Sequence, residues 1–190
     1  MDTPIVPRQV RKVFEGRVFT VQVESITLPN GHALDAEIVR HPGSVAIVPL
    51  TAAGEVLLVR QYRHAAGRYT WELPAGSLKK GEDVLAAARR ECQEEVGMVA
   101  THLEPLGAFF PTPGFCDEKT HLFRATGLRA PQEGDADAQQ DEDEDIETGL
   151  FTPPELRAMI ARGDISDMTT VAALSLALPG PPPRTGEPAS

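Results

Sequence analysis

Cysteine is scarce in this 190-residue chain: Cys92 and Cys116 are the only two. They form no CxxC pair and no disulfide framework, which excludes a stapled secreted scaffold and a zinc ribbon. Both are read as reduced, structural thiols. No apolar run approaches the roughly 18 residues a membrane-spanning helix needs. The opening MDTPIVPRQVRK has no apolar signal core, so the expected address is the cytoplasm, with no membrane partner. Basic stripes are missing too, and a nucleic acid held by phosphate attraction is therefore not an expected partner. No Gly-x-Ser-x-Gly occurs and the five histidines show no ligand spacing, which leaves serine nucleophiles and histidine metal sites without support.

What is present is an ordinary globular composition, 41% hydrophobic and 24% charged, at a length that suits one domain with a sizeable core. The net charge of −10 is local. Residues 131–150, PQEGDADAQQDEDEDIETGL, hold nine acids and no base, and the remainder balances 19 acids against 18 bases. A run of this kind reads first as a solvated loop.

Period-two, β-branched stretches mark strands at 17–29 and at 32–39 around the turn Asn30-Gly31. Further strands are expected at 44–50, 55–63, 69–76, 106–110, 119–128 and 146–151. Thr152-Pro153-Pro154-Glu155 combines an N-cap, an early proline and a capping glutamate, with Gly163 as the stop. A more apolar helix follows at 166–178, and the tail PGPPPRTGEPAS is Pro-rich and expected to be disordered. Hairpins with helices between and after them predict an α/β sandwich, a mixed β-sheet between α-helices. Residues 1–42 are expected to form a small N-terminal antiparallel sheet, 43–178 the main domain with an acidic loop at 131–145, and 179–190 the tail.

The segment GSLKKGEDVLAAARRECQEEVGM, residues 76–98, carries the chemistry. Gly81-Glu82 mark a helix start and Gly97 a left-handed C-terminal cap. At 100° per residue, Glu94 and Glu95 lie about 60° to one side and about 40° to the other side of Glu91. Leu85, Ala88, Cys92 and Val96 form the adjoining apolar face. Two carboxylates ~5.5 Å apart repel by roughly 3 kcal/mol at an effective dielectric of 20. A hard divalent cation such as Mg²⁺ or Mn²⁺ removes that repulsion and prefers oxygen ligands. Arg90 is expected to brace the glutamates by pairing, and Glu82, about 180° from Glu91 on the same wheel, has a supporting role at most.

The identities Gly76, Glu82, Arg90, Glu91, Glu94, Glu95 and Gly97 match the Nudix box at its spacing, and the chain resembles Nudix hydrolases. The one departure, Cys92 for the usual aliphatic residue, still suits a small core slot. The resemblance implies the Nudix fold and hydrolysis of a nucleoside diphosphate linked to another group. It also implies metal binding by Glu91, Glu94, Glu95 and the Ala75 carbonyl.

Three stretches are similar to the ADP-ribose pyrophosphatase branch. RQYRHAAGRYTWELPAG (60–76) supplies Arg60, Arg63 and Glu72 as substrate contacts, an arginine fork being suited to phosphate. FFPTPGFCDEKTHLF (109–123) carries Pro113, Gly114 and Glu118 toward the same substrate. The acidic run offers Glu144 or Glu142 as catalytic base or further ligand, with Glu95 the third catalytic candidate. The choice between Glu142 and Glu144 stays open. What the resemblance implies is an ADP-ribose diphosphatase giving AMP and ribose 5-phosphate, dimeric through its N-terminal sheet. Another nucleoside diphosphate derivative as substrate, or an ADP-ribose sensor without hydrolysis, are the alternatives.

Overall fold

The computed structural model describes residues 4–135 and 146–178. Its centre is β4 (Ser44–Pro49), in which all six residues are buried. Period-two alternation sends Val45 and Ile47 to one face and Ala46 and Val48 to the other. The first pair packs against α1 (Val84–Val96) through Ala87, Ala88 and Cys92. The second pair packs with Leu156 and Met159 of α2 (Pro153–Arg162) and Ala173, Leu174 and Ala177 of α3 (Met168–Ala177). A strand that is apolar on both sides thus makes two cores, and a helix covers each.

Four strands form the central sheet in the order β7-β4-β9-β8, where β7 is Ala75–Ser77, β9 Thr120–Arg129 and β8 Val99–Phe109. β4 and β9 run parallel and the other pairs antiparallel, so the sheet is mixed. A second sheet pairs β10 (Glu147–Phe151) with β5 (Val56–Arg63) and β5 with β6 (Arg68–Glu72). At the N-terminus, β1 (Gln9–Glu15), β2 (Thr20–Thr27) and β3 (Ala33–Arg40) make a separate antiparallel sheet. No helix of the described residues is long and apolar enough to cross a membrane.

Three elements differ from the sequence reading. β1 escaped it because all seven of its residues are exposed, which erases the alternation that marks a strand. β8 begins seven residues before the expected 106, its start masked by Pro105 and Gly107 at the register shift. The stretch 69–76 is two strands, because Pro74 has no N–H to donate to a ladder. In α1 the first turn also differs. Asp83 is the N-cap, accepting from the Leu85 and Ala86 amides, and Leu85 is 45% exposed while Ala87 takes the buried position. The wheel was correct about Ala88 and Cys92, both fully buried.

The second helix starts on the capping box read from the sequence, with Thr152 and Glu155 bonded reciprocally and Gly163 in the left-handed region at φ 80°.

Candidate active site

The β7–α1 junction gathers the acidic side chains. Strand β7 edges the central sheet next to β4, and α1 packs on that sheet through the apolar contacts of Ala87, Ala88 and Cys92. Burying that face forces the adjoining one, with Glu91 and Glu95, against β7. Glu91 is only 7% and Glu95 only 5% exposed. Glu95 Oε2 accepts from the Ala75 amide at 3.2 Å. Gly76 is required by contact: a Cβ there would fall inside the Glu91 carboxylate.

Arg90 organises the cluster. Its Nη1 donates to Glu91 Oε1 at 2.7 Å and to Glu94 Oε2 at 2.6 Å. Its Nε and Nη2 hold both oxygens of Glu82 at 2.8 and 3.1 Å. Hydrogen bonding to Arg90 is the main reason the Glu82 carboxyl lies below its ordinary range, and the Arg90 guanidinium is correspondingly raised, first by Glu82. Glu82 precedes the N-cap, so its position follows from the loop rather than from a helical wheel. Burial, with the Glu95 charge second, pushes the Cys92 thiol up to about 12; it is inert packing.

Beside the cluster lies a cleft of about 1120 Å³ lined by residues of β4, β5, β6, β7 and α1, by the loop after β8 and by the start of α3. Arg63 lines it and is clamped to Glu72: Nη2 donates to Oε2 at 2.6 Å and Nε to both oxygens at 3.0–3.1 Å. Thr70 donates its hydroxyl to the same carboxylate. Burial works to lower the Arg63 pKa, but the Glu72 hydrogen bonds and the charges of Glu72, Glu95 and Asp167 outweigh it and raise it. The arginine shares the cleft lining with Glu91 and Glu94 of α1.

Of the other candidates, Glu118 lines the cleft, accepting from Ser44 Oγ at 2.7 Å. Pro111 and Thr112 line it, whereas Pro113 and Gly114 do not, and a Cβ on Gly114 would meet nothing within 4 Å. Arg60 also lies away from it, its guanidinium carbon 4.4 Å from the Tyr69 ring centroid and its Nη1 3.0 Å from Glu147. Glu142 and Glu144 lie outside the described residues. Sequence reasoning missed Arg17, Lys79, Lys80 and Asp167, which also line the cleft. The lysines lie inside the box, at positions it leaves variable, and Arg17 reads from the sequence only as the first residue of the strand expected at 17–29.

The donor set suits a divalent cation: Glu91, Glu94, Glu95 and the Ala75 carbonyl are all hard oxygens. Among the described residues no three acidic, histidine or cysteine groups converge closely enough to chelate an ion as they stand. One guanidinium nitrogen bridges Glu91 and Glu94 where shared positive charge is needed. Ligation would require those two carboxylates to turn from Arg90.

One perturbation tests this geometry directly. Gly76→Ala is expected to displace Glu91 and lower turnover by about 100-fold, the scale of a misplacement near 1 Å. Circular dichroism is expected to show the same fold.

An α/β sandwich with a carboxylate-bearing helix at the mouth of an arginine-lined cleft defines the class, a pyrophosphohydrolase. The chain belongs to the Nudix family, whose NUDIX domain matches residues 40–172. It is 37% identical over 163 residues to the ADP-ribose pyrophosphatase of Bacillus subtilis (strain 168), covering 86% of each chain. To a Bacillus methanolicus protein named methanol dehydrogenase activator it is 39% identical over 166 residues, covering 87% of this chain and 88% of that one. The crystal structure of an ADP compounds hydrolase has the same fold, with a TM-score of 0.77 over 92% of both chains at 24% identity. Nudix hydrolases are generally dependent on divalent metals.

Proposed function

We propose that this protein hydrolyses the pyrophosphate of ADP-ribose to AMP and ribose 5-phosphate, with Mg²⁺ as its metal and Mn²⁺ as a substitute. The observation that carries the reading is that Glu91 and Glu94 of α1, next to Glu95, line one cleft together with the Arg63–Glu72 clamp. The B. subtilis ADP-ribose pyrophosphatase, similar along 86% of both chains, supports the substrate.

Hydrolysis adds water across the P–O–P linkage: a P–O bond forms to the water oxygen, the bridging P–O bond breaks, and the departing phosphate keeps the electron pair. The obstacle is the negative charge on both phosphates. Glu91, Glu94, Glu95 and the Ala75 carbonyl would hold the metal, which when bound offsets that charge and acidifies water. Arg63 supplies fixed charge toward the diphosphate, its fork oriented by Glu72. Glu118 is assigned to accept hydrogen bonds from the substrate's hydroxyl groups. Arg60, Pro113 and Gly114, which do not line the cleft, are given no part in binding, and Glu144, with Glu142 as alternative, is assigned as the proton acceptor for water.

The N-terminal sheet supports a homodimer: Val10, Val13 and Phe14 of β1 are each more than half exposed. An apolar surface of that kind favours a partner of the same chain, which sedimentation equilibrium would report as twice 20.5 kDa.

Hydrolysis of ADP-ribose, NADH, FAD, UDP-glucose, GDP-mannose and diadenosine polyphosphates, with Mg²⁺ and with EDTA, tests the substrate. Metal-dependent AMP release with the highest kcat/KM on ADP-ribose is the expected result. A preference for GDP-sugars would remove the assignment, and binding of ADP-ribose without turnover would make the protein a sensor.

A further inference from the structure

Between the N-terminal sheet and β4 the chain makes a short strap, Arg40-His41-Pro42-Gly43-Ser44, and Arg40, His41 and Ser44 bond it to the loop that carries Asp117 and Glu118. The last turns of β3 open the connection: Val39 donates its amide to the Phe115 carbonyl at 2.7 Å and accepts from the Asp117 amide at 3.1 Å. Asp117 then takes the Arg40 Nη1 at 2.9 Å and the His41 amide at 2.8 Å. Ser44 closes it from the other end, its amide on the Lys119 carbonyl at 3.1 Å and its hydroxyl on Glu118 Oε1 at 2.7 Å.

The His41 ring, with only 10% of its side chain exposed, sits inside this strap. Its Nδ1 accepts from the Gly43 amide at 3.1 Å. Its Nε2 lies 3.4 Å from Ser77 Oγ. Glu118 Oε1, 3.9 Å from Nδ1, receives its hydrogen bond from Ser44 instead. The ring therefore holds a turn in which Gly43 adopts φ 93° and where an added Cβ would lie 3.2 Å from the Lys119 carbonyl oxygen. The turn in its place presents the Ser44 hydroxyl, buried beside Thr120 at 2.9 Å, to Glu118.

We propose that His41 is a positioning residue that aims the Glu118 carboxylate into the cleft through the Gly43–Ser44 turn. It touches no substrate; it acts on the residue that does. The inference rests on the proposed role of Glu118 in binding ADP-ribose, and it makes the N-terminal sheet part of the site, because the strap is the end of β3.

Kinetics on ADP-ribose with the wild type, H41A, H41N, E118Q and H41A/E118Q test it. KM is expected to rise about tenfold in H41A and in E118Q, with kcat nearly unchanged. In the double variant KM should be no higher than in E118Q alone, since both changes remove one interaction. The asparagine oxygen of H41N can accept from an amide two residues on, so this variant is expected to restore most of the affinity. KM effects that multiply, a loss confined to kcat, or H41N behaving as H41A would overturn the proposal. A wild type that prefers another diphosphate would remove the substrate assignment alone, and the same cycle would be read on that compound.

Discussion

Glu95→Gln is expected to lower kcat by roughly 10²–10⁴-fold, the scale associated with a lost catalytic acid–base group, and to leave the fold intact. Glutamine has nearly the same shape, and its carbonyl oxygen can still accept from the Ala75 amide, which Glu95 meets at 3.2 Å. What the change removes is one negative charge from a side chain only 5% exposed. That charge reaches both Arg63 and Cys92, so it acts across the cleft as well as along its own helix. An unchanged Tm together with the collapse in kcat, and a weaker dependence on added Mg²⁺, would identify a functional carboxylate. A rate near that of the wild type would show that Glu95 is only a structural acceptor for β7.

Arg90→Met is expected to cause the largest loss of stability, about 3 kcal/mol, the lower end for breaking a buried ion pair. For a chain of this size that corresponds to a fall in Tm of roughly 6–12 °C. Methionine fills most of the volume and replaces none of the charge. Glu82, Glu91 and Glu94, whose side chains are 14%, 9% and 14% exposed, would be left close together without their shared cation. Millimolar Mg²⁺ is expected to restore more Tm to this variant than to the wild type, because it supplies the missing positive charge. The pH dependence has a definite sign. Glu82 is lowered in the folded protein, so its contribution is fully present above the ordinary carboxylate pKa of about 4.3. That contribution is lost as pH falls through the lowered folded value. The Tm difference between wild type and variant should therefore be widest at neutral pH and narrow in acid. A gap independent of pH and Mg²⁺ would mean that Arg90 acts by packing alone.

Both results turn on residues whose relation to the rest of the molecule was unequally visible. Helical geometry alone groups Glu91, Glu94 and Glu95 and gives Arg90 its bracing role. Glu82 was judged remote because it was placed on the wheel; with Asp83 as N-cap it lies outside the helix, and the loop carries its carboxylate back to Arg90. The same wheel puts Leu85 in the core, but in the first turn of α1 it is 45% exposed and Ala87 is buried instead. β4 was legible because both its faces are apolar, β1 was not because neither is buried.

The sequence by itself determined the elements whose cause is local: the capped helices, the box spacing, the carboxylate face and the family. Those depend on residues within a few turns of one another. Only the tertiary structure decided which distant groups meet. It brought Arg63 and Glu72 into one cleft with Glu91 and Glu94 of α1, left Arg60 on Tyr69 outside the cleft, and set Glu118 against Ser44, a contact spanning 74 residues. Such pairings follow from strand order and register, and the parallel β4–β9 neighbours in particular are joined by no turn that a local pattern could announce.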